Sequence, residues 1–182
     1  MKKPIFIAAI LFAVLFLFYL IFVEDTPDQK VLPQGERFLP LKASDIQGLR
    51  IVTREGLTFR CMKDTDGSWN IISGERKVNA AEKINDFLEA ITTLTEIDYF
   101  QADKNEKVLN QYGLYEPTAR IILTDLTQKT YEMLVGDKTP AASTGVYVML
   151  RDTNRIAILG AVLNWELFKL SSLFVLSDSQ QE

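Results

Sequence analysis

The sequence contains no histidine and a single cysteine, Cys61, among its 182 residues. Histidine is the commonest general base and the commonest transition-metal ligand in proteins. Its absence excludes Ser-His-Asp, Cys-His and histidine–metal sites, and one cysteine cannot form an internal disulfide. Apolar burial must therefore stabilise the fold. The sequence predicts no metal, no cofactor and no enzymatic activity; an enzyme that uses carboxylates alone is a remote alternative.

Positive charge is scarce beyond Val23. All 24 acidic residues lie there with 18 of the 20 basic ones, all but Lys2 and Lys3, so this part has a formal charge of −6. A surface of that sign repels phosphate backbones and anionic headgroups. We therefore expect no nucleic-acid binding and no recognition of lipid surfaces. The 159 residues after Val23 are enough for one domain with a core.

One long apolar run is present, at residues 4–23, and it carries no charge. At about 1.5 Å per residue its 20 residues reach about 30 Å as a helix, the thickness of a bilayer core. A signal peptide has a shorter run that ends in small residues, whereas this run ends Leu20-Ile-Phe-Val23. A buried core helix would need a polar face, and the run has none.

The run therefore predicts an uncleaved, single-pass anchor in a bacterial inner membrane. Lys2 and Lys3 favour a cytoplasmic N-terminus, with the C-terminal domain periplasmic or otherwise extracytoplasmic. The predicted organisation is an anchor at 1–23, an extended linker at 24–40, an exported domain at 41–176 and a tail at 177–182.

The anchor is rich in aromatic residues, which leaves two interpretations open. Large flat side chains give wide contact with neighbouring helices or hydrophobic cofactors, but phenylalanine also suits a lipid-facing position. The residues in question are Phe6, Phe12, Phe16, Phe18, Tyr19 and Phe22.

Beyond the linker, two periodicities alternate along the chain. Apolar residues at every second position predict strands at 49–53, 57–62, 69–72, 119–124, 130–135, 146–150 and 155–158, with an edge strand at 173–176. An apolar stripe that begins after Asn79 predicts an amphipathic helix to Leu94, with Asn79 and Glu82 as a capping box. Shorter helices are predicted at 104–111, before Gly113, and at 161–170.

Short connections between these strands favour an antiparallel sheet with helices packed on one face, an α+β fold. Read coarsely, a strand–strand–strand–helix order occurs over 49–94 and again over 119–170. This leaves two interpretations: two related halves, or unrelated short apolar strands that resemble each other. The predicted core consists of the residues on the apolar faces: Leu57, Phe59, Trp69, Ile84, Phe87, Leu88, Ile91, Ile121, Leu123 and Tyr131.

Several short stretches occur in a specific order: Asp45-Ile46, Asp66-Gly-Ser-Trp69, Asn79-Ala-Ala81, Tyr112-Gly-Leu114 with Pro117, and Val135-Gly-Asp-Lys-Thr-Pro140 followed by Tyr147. In this order they resemble the family known as domain of unknown function four-three-four-zero, over residues 39–176. The chain differs at Asn79, where the family more often has proline. The resemblance implies an N-terminal anchor and, for some members, an association with ABC transporter components of the gliding-motility type. It implies no catalytic residues. Its motif positions are expected to be structural: Trp69, Tyr112, Gly113, Leu114, Pro117, Gly136, Asp137 and Tyr147.

Two patterns look like catalytic motifs but fail on detail. Residues 136–139, Gly-Asp-Lys-Thr, resemble the end of a phosphate-binding loop, yet Glu132 stands where that loop needs its first glycine. A hairpin turn after a strand is the preferred interpretation. Lys138 and Ser143 form a possible Ser–Lys pair, but the sequence offers no oxyanion loop.

Other polar or reactive residues have structural interpretations. Asp64 and Asp66 fit a turn better than a calcium loop, which would need a bidentate glutamate further along. Cys61 is expected to pack as a small hydrophobe. Trp69, Tyr112 and Tyr147 suit a core better than a binding groove.

The sequence therefore favours a non-enzymatic accessory or scaffold subunit that docks an exported domain onto a larger membrane complex, one associated with an ABC transporter or another integral assembly. The alternative is a membrane-tethered module that binds a glycan, peptide or small molecule between its halves. A convergent groove of polar and aromatic residues would favour the module, and an exposed apolar patch would favour docking.

Overall fold

The computed structural model of the chain describes residues 36–140 and 145–176. These residues form a nine-stranded antiparallel sheet with three α-helices and one short 3-10 helix at Ala43–Asp45. The helices are α1 (Ala80–Thr93), α2 (Glu106–Gln111) and α3 (Val162–Ser171). The strands are β1 (Ile46–Thr53), β2 (Leu57–Lys63), β3 (Trp69–Ser73), β4 (Glu96–Gln101), β5 (Ala119–Asp125), β6 (Thr130–Lys138), β7 (Gly145–Leu150), β8 (Arg155–Gly160) and β9 (Val175–Leu176).

The strands lie in the order β3-β2-β1-β5-β6-β7-β8-β4, and β9 pairs with β2. The antiparallel α+β domain predicted from the sequence is confirmed. The predicted anchor at 1–23 and tail at 177–182 lie outside the described residues. In the part of the chain that the structure describes, no helix is long and apolar enough to cross a bilayer.

Helix α1 forms because its apolar residues share one face, as the sequence predicted. Ile84, Phe87, Leu88 and Ile91 are each at most 1% exposed. Asn79 is the N-cap residue, but its side chain makes no capping hydrogen bond, so the predicted capping box is not formed. Packing of the apolar face, not the cap, holds this helix in place.

The predicted core is largely confirmed. Phe59, Ile121 and Leu123 are fully buried, as are the α1 residues, while Trp69 and Tyr131 are partly buried against the same cluster. Leu57 is the exception, because it is only partly buried near the β9 edge and does not belong to the cluster.

Helices lie on both faces of the sheet, which corrects the prediction of one helical face. Along β6, Met133 and Val135 belong to the main core with α1 and α3, whereas Leu134 belongs to a second cluster on the opposite face. Leu109 of α2 and the following Leu114 pack on that second cluster. The short helix α2 therefore covers the opposite face.

Strand β4 was not predicted, and it lies at the edge of the sheet beside β8. Its alternating apolar side chains, Ile97 and Tyr99, are 50% and 54% exposed. Their alternation therefore does not mark a buried face, which is the pattern by which a strand is predicted from sequence. The second predicted half contains four strands, β5 to β8, before α3, whereas three precede α1. The prediction of two equivalent strand–strand–strand–helix halves is therefore wrong.

Buried residues begin before the predicted domain boundary at residue 41. Phe38 and Leu39 are 7% and 1% exposed, and the Phe38 amide donates to the Leu94 carbonyl at 3.1 Å. The Glu96 amide donates in turn to the Glu36 carbonyl at 3.2 Å. The last residues of the predicted linker at 24–40 are thus part of the packed domain.

Candidate functional site

The most exposed apolar side chains of α3 form a single stripe, here called the α3 patch: Val162, Trp165 and Phe168. They are 52%, 59% and 68% exposed. The rings of Trp165 and Phe168 stack, with centroids 5.9 Å apart and planes 27° apart. Spacing by three residues places all three on one side of the helix. Contiguous exposed apolar surface of this kind is typical of interaction sites.

The opposite side of α3 fixes the helix to the domain. Leu163 and Leu170 are fully buried in the main core, and Leu167 packs against it. Glu166 is also largely buried on this side, with its carboxylate 2.7 Å from Lys169 Nζ. The α3 patch is therefore presented by a helix whose own packing is complete without it.

Two lysines tie the C-terminal end of α3 to the region of α1. Lys83 Nζ donates to Ser172 Oγ at 2.6 Å, and Lys77 Nζ donates to the Ser172 carbonyl at 2.6 Å. Cations stabilise the C-terminal end of a helix because its last carbonyls have no partner within the helix. These bonds hold the α3 patch in a fixed orientation on the domain.

The sequence predicts α3 but not its exposed patch. The helix carries apolar residues on both sides, so no clean polar face marks which side is outside. The sequence does contain one signal of the patch: this short helix has more apolar residues than a single buried face needs.

The motif positions Tyr112 to Leu114 and Gly136 to Asp137 meet on the opposite face of the sheet. The Asp137 amide donates to the Tyr112 carbonyl at 2.9 Å. Gly113 has a φ of +67°, and a Cβ there would clash with the Asp137 carboxyl group. A Cβ at Gly136 would clash with the Tyr112 carbonyl oxygen. Both glycines therefore allow this loop to lie directly on β6.

The remaining motif positions divide into two places. Tyr147 lies beside Tyr112, with ring centroids 4.9 Å apart, and Pro117 is buried close to Leu114. Trp69 lies away from them, on the α1 face, where its Nε1 donates to Asn85 Oδ1 at 2.8 Å. The three aromatic residues Trp69, Tyr112 and Tyr147 therefore do not share a groove.

The hairpin turn predicted at 136–139 does not begin at Gly136, because β6 continues through Lys138. The register shifts between Val135 and Lys138, which marks a bulge at Gly136 and Asp137. The interpretation of residues 136–139 as a hairpin turn is therefore wrong for all but the last of them. Ser143, the proposed partner of Lys138, lies outside the described residues.

Asp66 and Cys61 have local structural environments. The Asp66 carboxylate accepts from Ser68 Oγ at 2.7 Å and from the Ser68 amide at 2.9 Å, and these bonds hold the pKa of Asp66 below its usual value. Cys61 is fully buried, and that burial raises the pKa of its thiol to about 12. Cys61 therefore remains a neutral thiol and packs as an apolar side chain.

A depression of about 460 Å³ lies beside α2, on the same face as the second cluster. Leu134 and Met149 form part of its floor, and Tyr115, Arg120 and Arg151 stand among the polar and aromatic residues of its rim. It combines apolar floor and polar rim, as a small ligand site does.

Comparison with family models, with curated proteins and with solved structures finds no match for this chain. The family resemblance of its motifs therefore remains an expectation, and the function has to be argued from the surface of the domain.

Proposed function

We propose that this chain is a single-pass, non-enzymatic accessory subunit that docks an exported domain onto a larger integral membrane complex. Residues 4–23 would anchor it in a bacterial inner membrane with the N-terminus in the cytoplasm. The observation that carries the proposal is the α3 patch, an exposed pair of stacked aromatic rings on a rigidly held helix.

Three properties of the α3 patch support docking. Trp165 and Phe168 each expose more than half of their surface, which costs free energy in water and is recovered when a partner covers them. Tryptophan is enriched among the residues that dominate binding energy in protein interfaces. The patch also contains no charged residue, so a partner can bury it without desolvating a charge.

The partner class follows from the predicted anchor and the family resemblance together. A tethered domain meets membrane-embedded partners at high effective concentration, because the anchor confines both to one surface. An envelope assembly associated with an ABC transporter is the class that the resemblance implies. Another integral assembly with an apolar extracytoplasmic surface fits the α3 patch equally well.

Site-specific photo-crosslinking tests the docking surface directly. A photoreactive phenylalanine analogue is placed at Trp165, at Phe168 or at the control position Leu126 in the full-length chain, expressed in its native cells. Leu126 is a matched control because it is 66% exposed and lies in the β5–β6 turn. We expect an adduct with an integral membrane protein from positions 165 and 168, but not from 126. Equal adducts from all three positions, or lipid adducts alone, would contradict the proposal.

A second candidate function, a tethered ligand-binding module, is favoured by the depression beside α2. Its rim of Tyr115, Arg120 and Arg151 would suit an acidic sugar or small carboxylate. Titration calorimetry of the full-length chain with glucuronate and with acidic dipeptides tests this candidate. Binding that is lost in Tyr115→Ala but kept in Trp165→Ser would favour the module over the docking subunit.

A further inference from the structure

Three arginines lie side by side on the face of the sheet that also carries α2, on the adjacent strands β2, β1 and β5. Arg60 is directly opposite Arg50, and Arg120 is opposite Val52, two residues along β1 from Arg50. Directly opposed residues have Cβ atoms about 4.5–5.5 Å apart, and diagonal neighbours lie about 7–8 Å apart. Arg60, Arg50 and Arg120 therefore form a continuous set, here called the arginine row.

The row is exposed and has no acidic partner in the part of the chain that the structure describes. All three residues are exposed, and within residues 36–140 and 145–176 none of them forms an ion pair or a side-chain hydrogen bond. Glu132, on the neighbouring strand of this face, is already paired with Arg151 at 2.7 Å. Glu116 and Asp152 line depressions beside Arg120 but form no ion pair with it.

An uncompensated row of this kind works against the stability of the free domain. Like charges directly opposite one another on paired strands destabilise a sheet. The row also has the opposite sign to the rest of a chain with a formal charge of −4. A bound anion would remove this repulsion and satisfy the guanidinium groups.

Apolar side chains lie between and beside the arginines. Val52, Met62 and Ile122 share this face and are half-buried, and Gly48 lies on the same face, close to Thr124. Gly48, Met62 and Ile122 line a depression of about 300 Å³ together with Arg50 and Arg60. The face therefore offers guanidinium groups and apolar contacts at intervals of a few ångströms.

We propose that the arginine row binds an extended acidic segment of a protein whose carboxylate side chains recur at every second residue and therefore all face the row. This inference rests on the proposed function, because it assigns the segment to the docking partner. Same-side residues of an extended chain are spaced by about 6.5–7 Å, close to the diagonal spacing of about 7–8 Å between Arg50 and Arg120. Guanidinium groups bind carboxylates in a bidentate manner. A polyuronate would offer carboxylates as well, but the proposed function gives the row a protein as its partner.

The probe for this test is a short fluorescent peptide of alternating Glu and Val, with a Gln–Val peptide as its uncharged counterpart. Fluorescence anisotropy measures its binding to the full-length chain in a non-ionic detergent. The triple variant Arg50→Gln, Arg60→Gln, Arg120→Gln is compared with Lys42→Gln, Lys107→Gln, Lys138→Gln, which removes the same charge elsewhere. We expect the dissociation constant to rise at least about tenfold in the arginine variant, and less than about threefold in the lysine variant.

Thermal unfolding shows whether the arginine variant binds weakly because it lacks the arginines or because it is unfolded. The arginine variant should unfold at the same temperature as the natural chain or above it, because the substitutions relieve repulsion. Equal weakening in both triple variants would reduce the effect to net charge and overturn the inference. Binding of the Gln–Val peptide as tightly as the Glu–Val peptide would also overturn it. Displacement of the peptide by polygalacturonate at matched carboxylate concentration would assign the row to a glycan instead.

The α3 patch variant Trp165→Ser, Phe168→Ser distinguishes this inference from the proposed function. It should bind the Glu–Val peptide normally, because α3 lies on the other face of the sheet. If the arginine variant binds the peptide normally while α3 still crosslinks to a membrane protein, the inference fails and the docking function stands. If the row binds the peptide but α3 gives no protein adduct, the proposed docking surface fails alone.

Discussion

At the scale of single residues, Gly136 permits the closest approach of two backbones in the second cluster. A methyl group there would meet the Tyr112 carbonyl oxygen and the side chain of Leu114. We expect Gly136→Ala to lower the free energy of unfolding by about 1–3 kcal/mol, the usual cost of overpacking. Urea unfolding of the full-length chain in detergent, followed by tryptophan fluorescence, measures this cost.

Gly160→Ala is the matched control, because no atom lies near a Cβ at that position. Its free energy of unfolding should change by less than about 0.5 kcal/mol. If both substitutions have the same small effect, the loop of Tyr112 does not rest on β6 as described.

Asp125 makes the stability of the β5–β6 turn depend on pH. Its carboxylate accepts from Thr127 Oγ at 2.6 Å, from the Thr127 amide at 2.8 Å and from the Lys129 amide at 3.0 Å. These bonds, led by that from the Thr127 hydroxyl, lower the pKa of Asp125 from its ordinary value of 3.8. A lowered pKa contributes stability that is fully present above pH 3.8 and is lost as the pH falls through the lower folded value.

We therefore expect Asp125→Asn to lower the melting temperature at pH 6, where the carboxylate is charged and fully bonded. The difference from the natural chain should shrink as the pH falls below 3.8. Thermal unfolding of the full-length chain at several pH values measures the gap, with Asp103→Asn, an exposed carboxylate, as the control. A gap that stays constant with pH would show that the charge of Asp125 does not stabilise the turn.

At the scale of elements, α1 is the helix on which the main core depends. Phe87 is 1% exposed at the centre of its apolar face. Phe87→Ala should cost about 3–5 kcal/mol of unfolding free energy through lost apolar contact and a cavity. Glu89→Ala, on the exposed side of α1, should change stability by less than about 0.5 kcal/mol. Urea unfolding of both variants checks the contrast; a loss below about 1 kcal/mol for Phe87→Ala would mean that the burial of this helix is misjudged.

Elements with a buried face of their own could be predicted from the sequence, and elements defined by distant partners could not. Ile84 and Phe87 mark α1 by spacing alone. Strand β4 depends on β8 instead: Arg155 of β8 lies over the Tyr99 ring at 3.7 Å and pairs with Glu96. No local pattern encodes that pairing, because Ile97 and Tyr99 point their apolar surface outward.

The candidate surfaces were less predictable than the fold. The sequence placed α3 correctly but could not distinguish the buried Leu163 from the exposed Trp165, because burial depends on where the rest of the domain lies. The arginine row was invisible for a similar reason. Arg50, Arg60 and Arg120 are far apart in the chain, and only the strand register makes them neighbours.

At the scale of the whole molecule, the first expectation concerns topology. Residues 1–3 should be cytoplasmic and the domain after Glu24 extracytoplasmic and uncleaved, because lysines precede the apolar run and bulky residues end it. Protease added to spheroplasts should digest the domain, whereas intact cells should protect it. Protection in spheroplasts, or a mature N-terminus near Thr26, would contradict this topology.

The aromatic anchor is tested by replacing residues 4–23 with polyleucine of equal length. Membrane insertion should survive because hydrophobicity is kept. If Phe12, Phe16 and their aromatic neighbours contact partner helices, crosslinking yield from Trp165 should fall in this chimera. An unchanged yield would confine recognition to the exported domain.

The pairing of β9 with β2 has a consequence for when the domain can fold. Val175, at the end of the described chain, pairs with Thr58, more than a hundred residues earlier. Strand β4 likewise pairs with β8, which comes much later in the sequence. Non-local pairings form slowly, because a long loop must close before any contact compensates for its entropy. Under the proposed topology, the segment next to the anchor would cross the membrane first, and the sheet could not be completed until its last strands had followed. If the domain is exported as proposed, its own strand order would keep it unfolded, and so export-competent, until the last strands have crossed.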